Sequence, residues 1–504
     1  MTGWRDLPVT TETELKFSVA ADAAIALESA LRKGGATMRT IRSRYFDTED
    51  GRLAEAHLSL RLRKGGGAWE QTLKAPGPSA IVREEETVAR PGKWGTAGPE
   101  IDPALHATTR AGKALDAVLR ESKNGPGALL PVHESVFKRL AVDVEMGGAA
   151  IEVAFDRGTI RAADKAAPIS EIEYELKAGR PAELIAFAKA DVAQHCLWLS
   201  TVSKAQRADR LARGIEFGAP IQEPRPHIPA DADGPALYRA VVAACVAQIV
   251  GNAAEIGEGA RDDELIHQLR IGIRRLRTAT RELAALDGAT DGAWEPALTD
   301  AFRALGRYRD ARTVAPVIEA RLRAAGSPRA PEALAPPALP DPVALIRAAP
   351  FQLALLDLLA LTLDPAPAGV DAPAPDDVKR LIVERLDRLR RRLRRDAARF
   401  EQLDEDGQHR VRKRLKRLRY LSELVAPLFS RGHVKAYLAA LKPAQDAVGE
   451  HVDLLLSRRA ARAVSERGDP KAWFDVGWLC AEIARSAKRA RKALRRAGKA
   501  PAFW

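Results

Sequence analysis

Between residues 10 and 178 the chain alternates from side chain to side chain, and the face that is not apolar carries charge in ordered sets. The segments Thr11–Val19, Leu58–Lys64, Trp69–Lys74, Ile81–Val88, Ser135–Glu145, Ala150–Asp156 and Ser170–Lys177 each read as a strand. Glu12, Glu14 and Lys16 share one face. Arg61 and Arg63 lie opposite Leu60 and Leu62, and Glu84 and Glu86 repeat the arrangement. Arg139 points away from Val136, Leu140 and Val142. Glu152 and Asp156 oppose Ile151, Val153 and Phe155, while Glu171, Glu173 and Glu175 oppose Ile172, Tyr174 and Leu176. Alternation alone leaves Glu84 against Glu85 open, because Val82 and Val88 share the face of Glu84. Like charges two residues apart on a strand repel, so something must offset the cost. Divalent cations held by the carboxylates would do so, and paired Arg and Lys would hold a phosphate chain. A closed sheet with a polar lumen would bring the two sets together.

Two helices interrupt the strands, near Asp22–Lys33 and Pro181–Cys196. Five prolines between Phe217 and Pro235 then mark a linker. Beyond it the periodicity is helical, over Leu237–Val250, Asp263–Leu286, Asp376–Phe400, Gln408–Phe429, Val434–Val448, Asp453–Val464 and Pro470–Ala497. The Pro/Ala-rich stretch Gly326–Asp341 reads as a loop. Two domains are therefore expected: an α+β domain over residues 1–215, a linker over 216–232, and an all-α domain over 233–504. Residues 1–215 carry 31 basic and 29 acidic side chains, and the remainder 49 and 38. The excess of the second half points to a polyanionic partner. Three scattered cysteines, Cys196, Cys245 and Cys480, suit neither a disulfide framework nor a zinc site. The start lacks the apolar core of a signal peptide, and no uninterrupted apolar run is long enough to span a bilayer, so the expectation is a cytoplasmic protein without a membrane partner.

The first domain resembles the CYTH, or triphosphate tunnel metalloenzyme, family. The resemblance rests on an ordered series: Glu12-x-Glu14-x-Lys16, Tyr45-Phe46-Asp47-Thr48, Leu60-Arg61-Leu62-Arg63, Thr72-Leu73-Lys74, Arg83-Glu84-Glu85-Glu86, Phe155-Asp156-Arg157-Gly158, Glu171 to Leu176, and Ser203-Lys204. It implies an antiparallel eight-stranded tunnel that hydrolyses inorganic triphosphate, or an organic triphosphate, with Mg²⁺ or Mn²⁺. Carried over by position, Lys16, Arg61, Arg63, Lys74, Arg139 and Lys204 would hold phosphate oxygens. Glu12, Glu14, Glu171 and Glu173 would coordinate metal. Glu84, Glu86, Glu152 and Asp156 would line the acidic side as catalytic groups and help place the attacking water.

The second domain is an internal duplication. His267, Arg270, Arg274 and Arg277 recur as His409, Arg412, Lys416 and Arg419 at an offset of 142, and Gly306…Asp310 recurs as Gly449…Asp453 one residue further on. On a helix each set forms one stripe, with Leu269, Ile273 and Leu276, or Val411, Leu415 and Leu418, on the opposite side. The stripes are expected on a solvated face. This half resembles the CHAD family, which implies that the eight stripe residues bind inorganic polyphosphate. Polyphosphate offers repeated charge and no bases, so cations at one-turn spacing suffice. The aromatic fraction of 5% argues against single-stranded nucleic acid. Three readings compete: a metal-dependent triphosphatase with a polyphosphate-binding domain, a non-catalytic polyphosphate-binding protein at polyphosphate granules, and a nucleotide enzyme of the adenylate cyclase or thiamine triphosphatase type.

Overall fold

The structure is a computed structural model of the 504-residue chain, and it describes residues 11–79, 81–95, 98–120, 128–288, 292–329, 339–363 and 373–504. The middle of the Pro/Ala-rich stretch lies outside the described residues. The chain forms two compact units. One comprises the residues up to Ile221 together with Val250–Leu265 and Val343–Asp364. The other comprises Gln222–Ile249, Ile266–Pro342 and Pro365–Trp504.

The first unit is built on strands β1 (Thr11–Ser18), β2 (Thr37–Asp47), β3 (Ser59–Lys64), β4 (Trp69–Ser79), β5 (Val82–Arg90), β6 (Leu130–Met146), β7 (Ala149–Ala162), β8 (Lys165–Ala178) and the two-residue β9 (Trp198–Leu199). The order β5-β4-β3-β2-β6-β7-β8-β1 is antiparallel throughout and closes on itself where β1 pairs with β5, with β9 added against β1. The eight-stranded expectation holds. The barrel is inverted relative to an ordinary one: its polar face is inside. Leu60 and Leu73 point outward and pack with Leu53 of α2 (Arg52–Glu55) and with Ala111 and Leu115 of α3 (Arg110–Arg120). Helix α1 (Ala21–Lys33) and α4 (Pro181–His195) also lie outside.

Helix α5 (Lys204–Arg213) is the exception, because it packs on the inner face. Ala208 and Leu211 meet the inward-facing Ile41, Phe137, Ile160 and Ile169, so one end of the lumen is apolar and filled. Ser203 caps α5 by accepting from the Gln206 amide at 3.2 Å, while the Gln206 side chain accepts from the Ser203 amide at 2.9 Å. This fixes the helix start, and with it Lys204, against the charged part of the lumen.

The helical chain runs through α6 (Gly234–Gly257), α7 (Asp263–Leu283), α8 (Glu295–Arg309), α9 (Ala315–Ala324), α10 (Pro342–Arg347), α11 (Ala349–Leu363), α12 (Pro375–Ala398), α13 (Glu405–Leu424), α14 (Arg431–Glu466) and α15 (Ala472–Lys499). Helix α6 corrects one expectation: it is long and apolar enough to cross a membrane, with mean hydropathy 1.5. However, 78% of its 18-residue apolar window is buried inside the protein, which makes it a core helix. The segments expected to be separate, Val434–Val448 and Asp453–Val464, are one helix, α14.

Candidate active site and anion-binding cleft

Strand register decides which charges enter the lumen. Around the closed wall the inward charges include Glu12, Glu14 and Lys16 on β1, Arg39 on β2, Arg61 and Arg63 on β3, and Glu70 and Lys74 on β4. Arg83 and Glu85 follow on β5, Arg139 on β6, Glu152 and Asp156 on β7, and Glu171 and Glu173 on β8. Twelve of the fourteen residues expected in the tunnel, Lys204 included, are there. Glu84 and Glu86 are not. Both sit on the outer face, where Glu84 pairs with Arg110 of α3 at 3.3 Å and Glu86 with His106 Nδ1 at 2.7 Å. Register settles the ambiguity in favour of Glu85, which stands opposite Lys74 inside the barrel.

The lumen has two charged clusters. In the first, Lys74 Nζ lies 2.6 Å from Glu12 and 2.5 Å from Glu85, with Arg61 3.8 Å from Glu85. Burial, and a hydrogen bond to Glu85, push the Glu12 carboxyl up to about 9 although Lys74 opposes them. Glu85 is held below the usual carboxylate range: burial opposes this, but Lys74, the Glu12 hydrogen bond and Arg61 prevail. Glu12 is thus biased toward its neutral form and Glu85 toward its ionised form. In the second cluster Arg139 grips Asp156 with two bonds of 2.7 Å and also reaches Glu173. Lys204 lies 2.7 Å from Asp156, 2.5 Å from Glu171 and 2.8 Å from Glu173, and Arg207 donates to Glu171 at 3.1 Å. Despite burial, Lys204 and Arg139 hold Glu173 well below its ordinary value. Lys16 donates to the Val202 carbonyl, and its removal from water lowers its value. Arg63 pairs with Glu70 at 2.9 Å, and Glu152 lies 3.8 Å from Arg139.

A cavity of about 330 Å³ opens between these clusters, lined by Glu14, Lys16, Arg61, Lys74, Arg83, Glu173 and Lys204 among others. The carboxylate oxygens of Asp156, Glu171 and Glu173 lie within 4.8 Å of one another. Three hard oxygen donors at that spacing fit a divalent ion such as Mg²⁺ or Mn²⁺. Glu14 stands on β1 beside β8, and burial together with the nearby Glu173 raises its carboxyl above the ordinary value, while Glu12 belongs to the Lys74 cluster. Arg39, Glu70, Arg83, Glu85 and Arg207 are lumen charges that the sequence did not reveal. Arg83 and Glu85 were hidden by the parity of β5. Arg207 needed α5 to be recognised, since it lies one turn beyond Lys204.

In the second unit the two stripes converge on each other and are half-buried, not spread on a solvated face. Arg270 and Arg274 of α7 stack on Phe302 of α8, 4.7 and 5.1 Å from the ring centroid. Arg412 of α13 pairs with Asp453 at 3.1 Å, and Arg274 meets Tyr420 at 3.5 Å. Gly306 and Gly449 are where the stripe guanidiniums pass: a Cβ at Gly306 would meet Arg270 at 2.8 Å. Burial, then Arg274 and Arg412, push the Lys416 ammonium down to about 6, with Asp453 opposing. Arg309, from the second duplicated motif, completes the cluster. Arg277 and Arg419 lie toward the rim, Arg277 at 3.7 Å from Glu295 and Arg419 at 2.6 Å from Glu423. His267 and His409 are half-buried at the heads of the stripes. Arg270 Nη1 and Arg412 Nε are buried without a hydrogen-bond partner. Such an orphan donor is costly unless a ligand satisfies it.

Residues 10–208 match the CYTH domain and residues 240–462 the CHAD domain. An inorganic triphosphatase from Haemophilus influenzae is 28% identical over 200 residues, 39% of this chain. The match spans 53% of that relative, about half its length. Among solved structures, the CHAD domain of the plant Ricinus communis is similar at 23% identity and TM-score 0.43, covering 55% of this chain and 96% of that one. A Hippeastrum adenylyl cyclase candidate with a dominant triphosphatase activity is similar at 18% identity and TM-score 0.25, covering 40% and 96%.

Proposed function

We propose that this chain, which carries a CYTH domain followed by a CHAD domain, hydrolyses inorganic triphosphate in its barrel with a divalent ion and holds inorganic polyphosphate in its helical cleft. One observation carries the first part: Lys16, Arg61, Arg63, Lys74, Arg83, Arg139 and Lys204 alternate with carboxylates around one closed, largely buried wall. Without ligand these cations neutralise the carboxylates. A triphosphate would exchange those pairs for charge-assisted contacts to its own oxygens, and the freed carboxylates would be available to a divalent ion. Asp156, Glu171 and Glu173 would hold a divalent ion, which when bound would supply neutralisation of phosphate charge and a more acidic water. The wall supplies what phosphoryl transfer needs most, a fixed in-line geometry and charge stabilisation. Water adds to a terminal phosphorus, the bridging P–O bond breaks, and orthophosphate and pyrophosphate leave. The second part rests on the orphan donors of Arg270 and Arg412.

The test is phosphate release from triphosphate, ATP, thiamine triphosphate and long-chain polyphosphate, each with Mg²⁺, Mn²⁺ or a chelator. Triphosphate is expected to be cleaved fastest, and only with metal. Arg61→Ala and Lys16→Ala should each cost about ten- to hundredfold in kcat/KM, the worth of one charge-assisted bond. Tight triphosphate binding without release under either metal would establish the non-catalytic reading. Wild-type kinetics in both variants would remove the tunnel assignment.

A further inference from the structure

The duplication is not symmetric, and the asymmetry lies in the helix that precedes each stripe. Helices α6 and α12 each precede a stripe helix, their bounds 141 residues apart. Helix α6 contains only Arg239 and Glu255 as charged residues and is a core helix. Helix α12, in contrast, buries one face through Val378, Ile382, Leu386, Leu389 and Leu393. From Arg385 to Arg399 the chain carries eight arginines against two acids, one of which, Asp396, is buried. Arg388, Arg392, Arg395 and Arg399 recur at one-turn spacing and are exposed. Among the described residues they form no ion pair, unlike their neighbours Arg391 with Asp387 at 3.8 Å and Arg414 with Asp396.

This ladder is continuous with the cleft. Arg281 extends the α7 stripe by one more turn beyond Arg277. Next to it, Glu282 pairs with Arg417 on the back of α13 at 3.5 Å. Arg414, one turn from Arg417, contacts Asp396 beside Arg395, and Arg392 and Arg395 are close enough to Arg414 to repel it. Arginines thus lead from α7 across α13 onto α12 without a break. We propose that this track is a second binding segment for the same polyphosphate chain, so that long chains are held by the cleft and the α12 ladder together.

The inference rests on the polyphosphate reading of the cleft. Polyphosphate fits better than nucleic acid because the ladder carries guanidiniums and no exposed aromatic ring on which a base could stack. Two linked segments raise the affinity of a chain long enough to reach both, and leave a short chain unaffected. The experiment compares short and long polyphosphate, about ten and about a hundred phosphates, on the full-length protein across a salt series. The variants are R388Q/R392Q/R395Q and its charge-keeping counterpart R388K/R392K/R395K. Gln replaces Arg with little change in helix propensity, and melting curves confirm the fold. The Gln variant should lose about tenfold or more in long-chain affinity. Its slope of log affinity against log salt should fall by about 2, with short-chain binding unchanged. The Lys variant should keep both. An unchanged slope overturns the proposal, as does equal weakening for short and long chains. Loss of duplex DNA retention with polyphosphate binding intact would assign the face to nucleic acid instead. A separate arm, R270Q/R274Q, tests the cleft: if short chains still bind, the underlying reading fails whatever α12 does.

Discussion

One step along β5 separates Glu84, held by Arg110 outside the barrel, from Glu85, held by Lys74 inside it. Glu84→Gln should therefore leave triphosphate kcat/KM within about twofold, while Glu85→Gln, which unbalances Lys74 and Glu12, should lower it by about tenfold or more. Equal losses would mean that Glu84 reaches the substrate. The second residue-scale case is Lys416. Its folded value of about 6 lies below the ordinary 10.5, so between those limits the unfolded chain holds a proton that the folded protein lacks. Stability accordingly rises with pH across that window and falls as pH drops toward 6. Phosphate oxygens arriving beside Lys416 restore its charge, so polyphosphate binding takes up a proton and tightens as pH falls from about 10 to about 6. Calorimetry at pH 8 in two buffers of different ionisation enthalpy measures the uptake. Lys416→Arg should bind with less uptake than the wild type, and identical uptake in the two proteins would show Lys416 to be charged already.

At the scale of elements, a strand was legible wherever one of its faces is apolar. The strands β1, β3 to β8 and the stripe helices α7 and α13 all have such a face. Strand β2 does not: Arg42 and Arg44 point out, Arg39 and Ser43 point in, and no two-residue rhythm of hydrophobicity survives. It was visible only through the Tyr45-Phe46-Asp47-Thr48 motif. The break expected in α14 falls at Gly449-Glu450-His451-Val452, within the repeated motif. In the fold His451 is buried between Gln408 and Ser486, at 2.8 Å from each, and the helix runs through. The lumen was legible as charge but not as pairing, since which cation meets which acid depends on register across strands distant in sequence. Gly306 tests how an element shapes a site. In mid-helix α8, Gly306→Ala should add up to about 1 kcal/mol of helix stability. The new methyl, 2.8 Å from Arg270 Nη1, would nevertheless displace that guanidinium and weaken polyphosphate binding severalfold. A melting curve and a binding isotherm on the same sample check both halves, and unchanged affinity would free Arg270 of its role.

For the molecule as a whole, the barrel's compact unit does not end where its strands do. Helix α11 packs on α4. Gln352 accepts from the Leu199 amide at 2.9 Å, and Arg347 stacks 3.8 Å over Trp198 while donating to the Gly257 carbonyl. Glu258 accepts from Trp198 at 3.1 Å and from Ser18, the next inward residue after Lys16 on β1. A fragment of residues 1–215 would keep every lumen charge yet leave these groups without partners. It should melt more than about 10 °C below the barrel transition of the full chain, and an equal midpoint would show the barrel to be self-sufficient. The closure of the barrel has a consequence on the time axis. Among the described residues, strand β1 meets β5 over three pairs, Thr11 with Glu84, Glu12 with Arg83 and Thr13 with Val82, whereas β6 and β7 are paired along nearly their whole length. Amide protons along that seam should exchange with deuterium through brief local openings, long before those of β6 and β7. A triphosphate bridging Lys74 and Lys16 from within would then act as a clasp, slowing the seam's exchange selectively and leaving the far wall's clock unchanged.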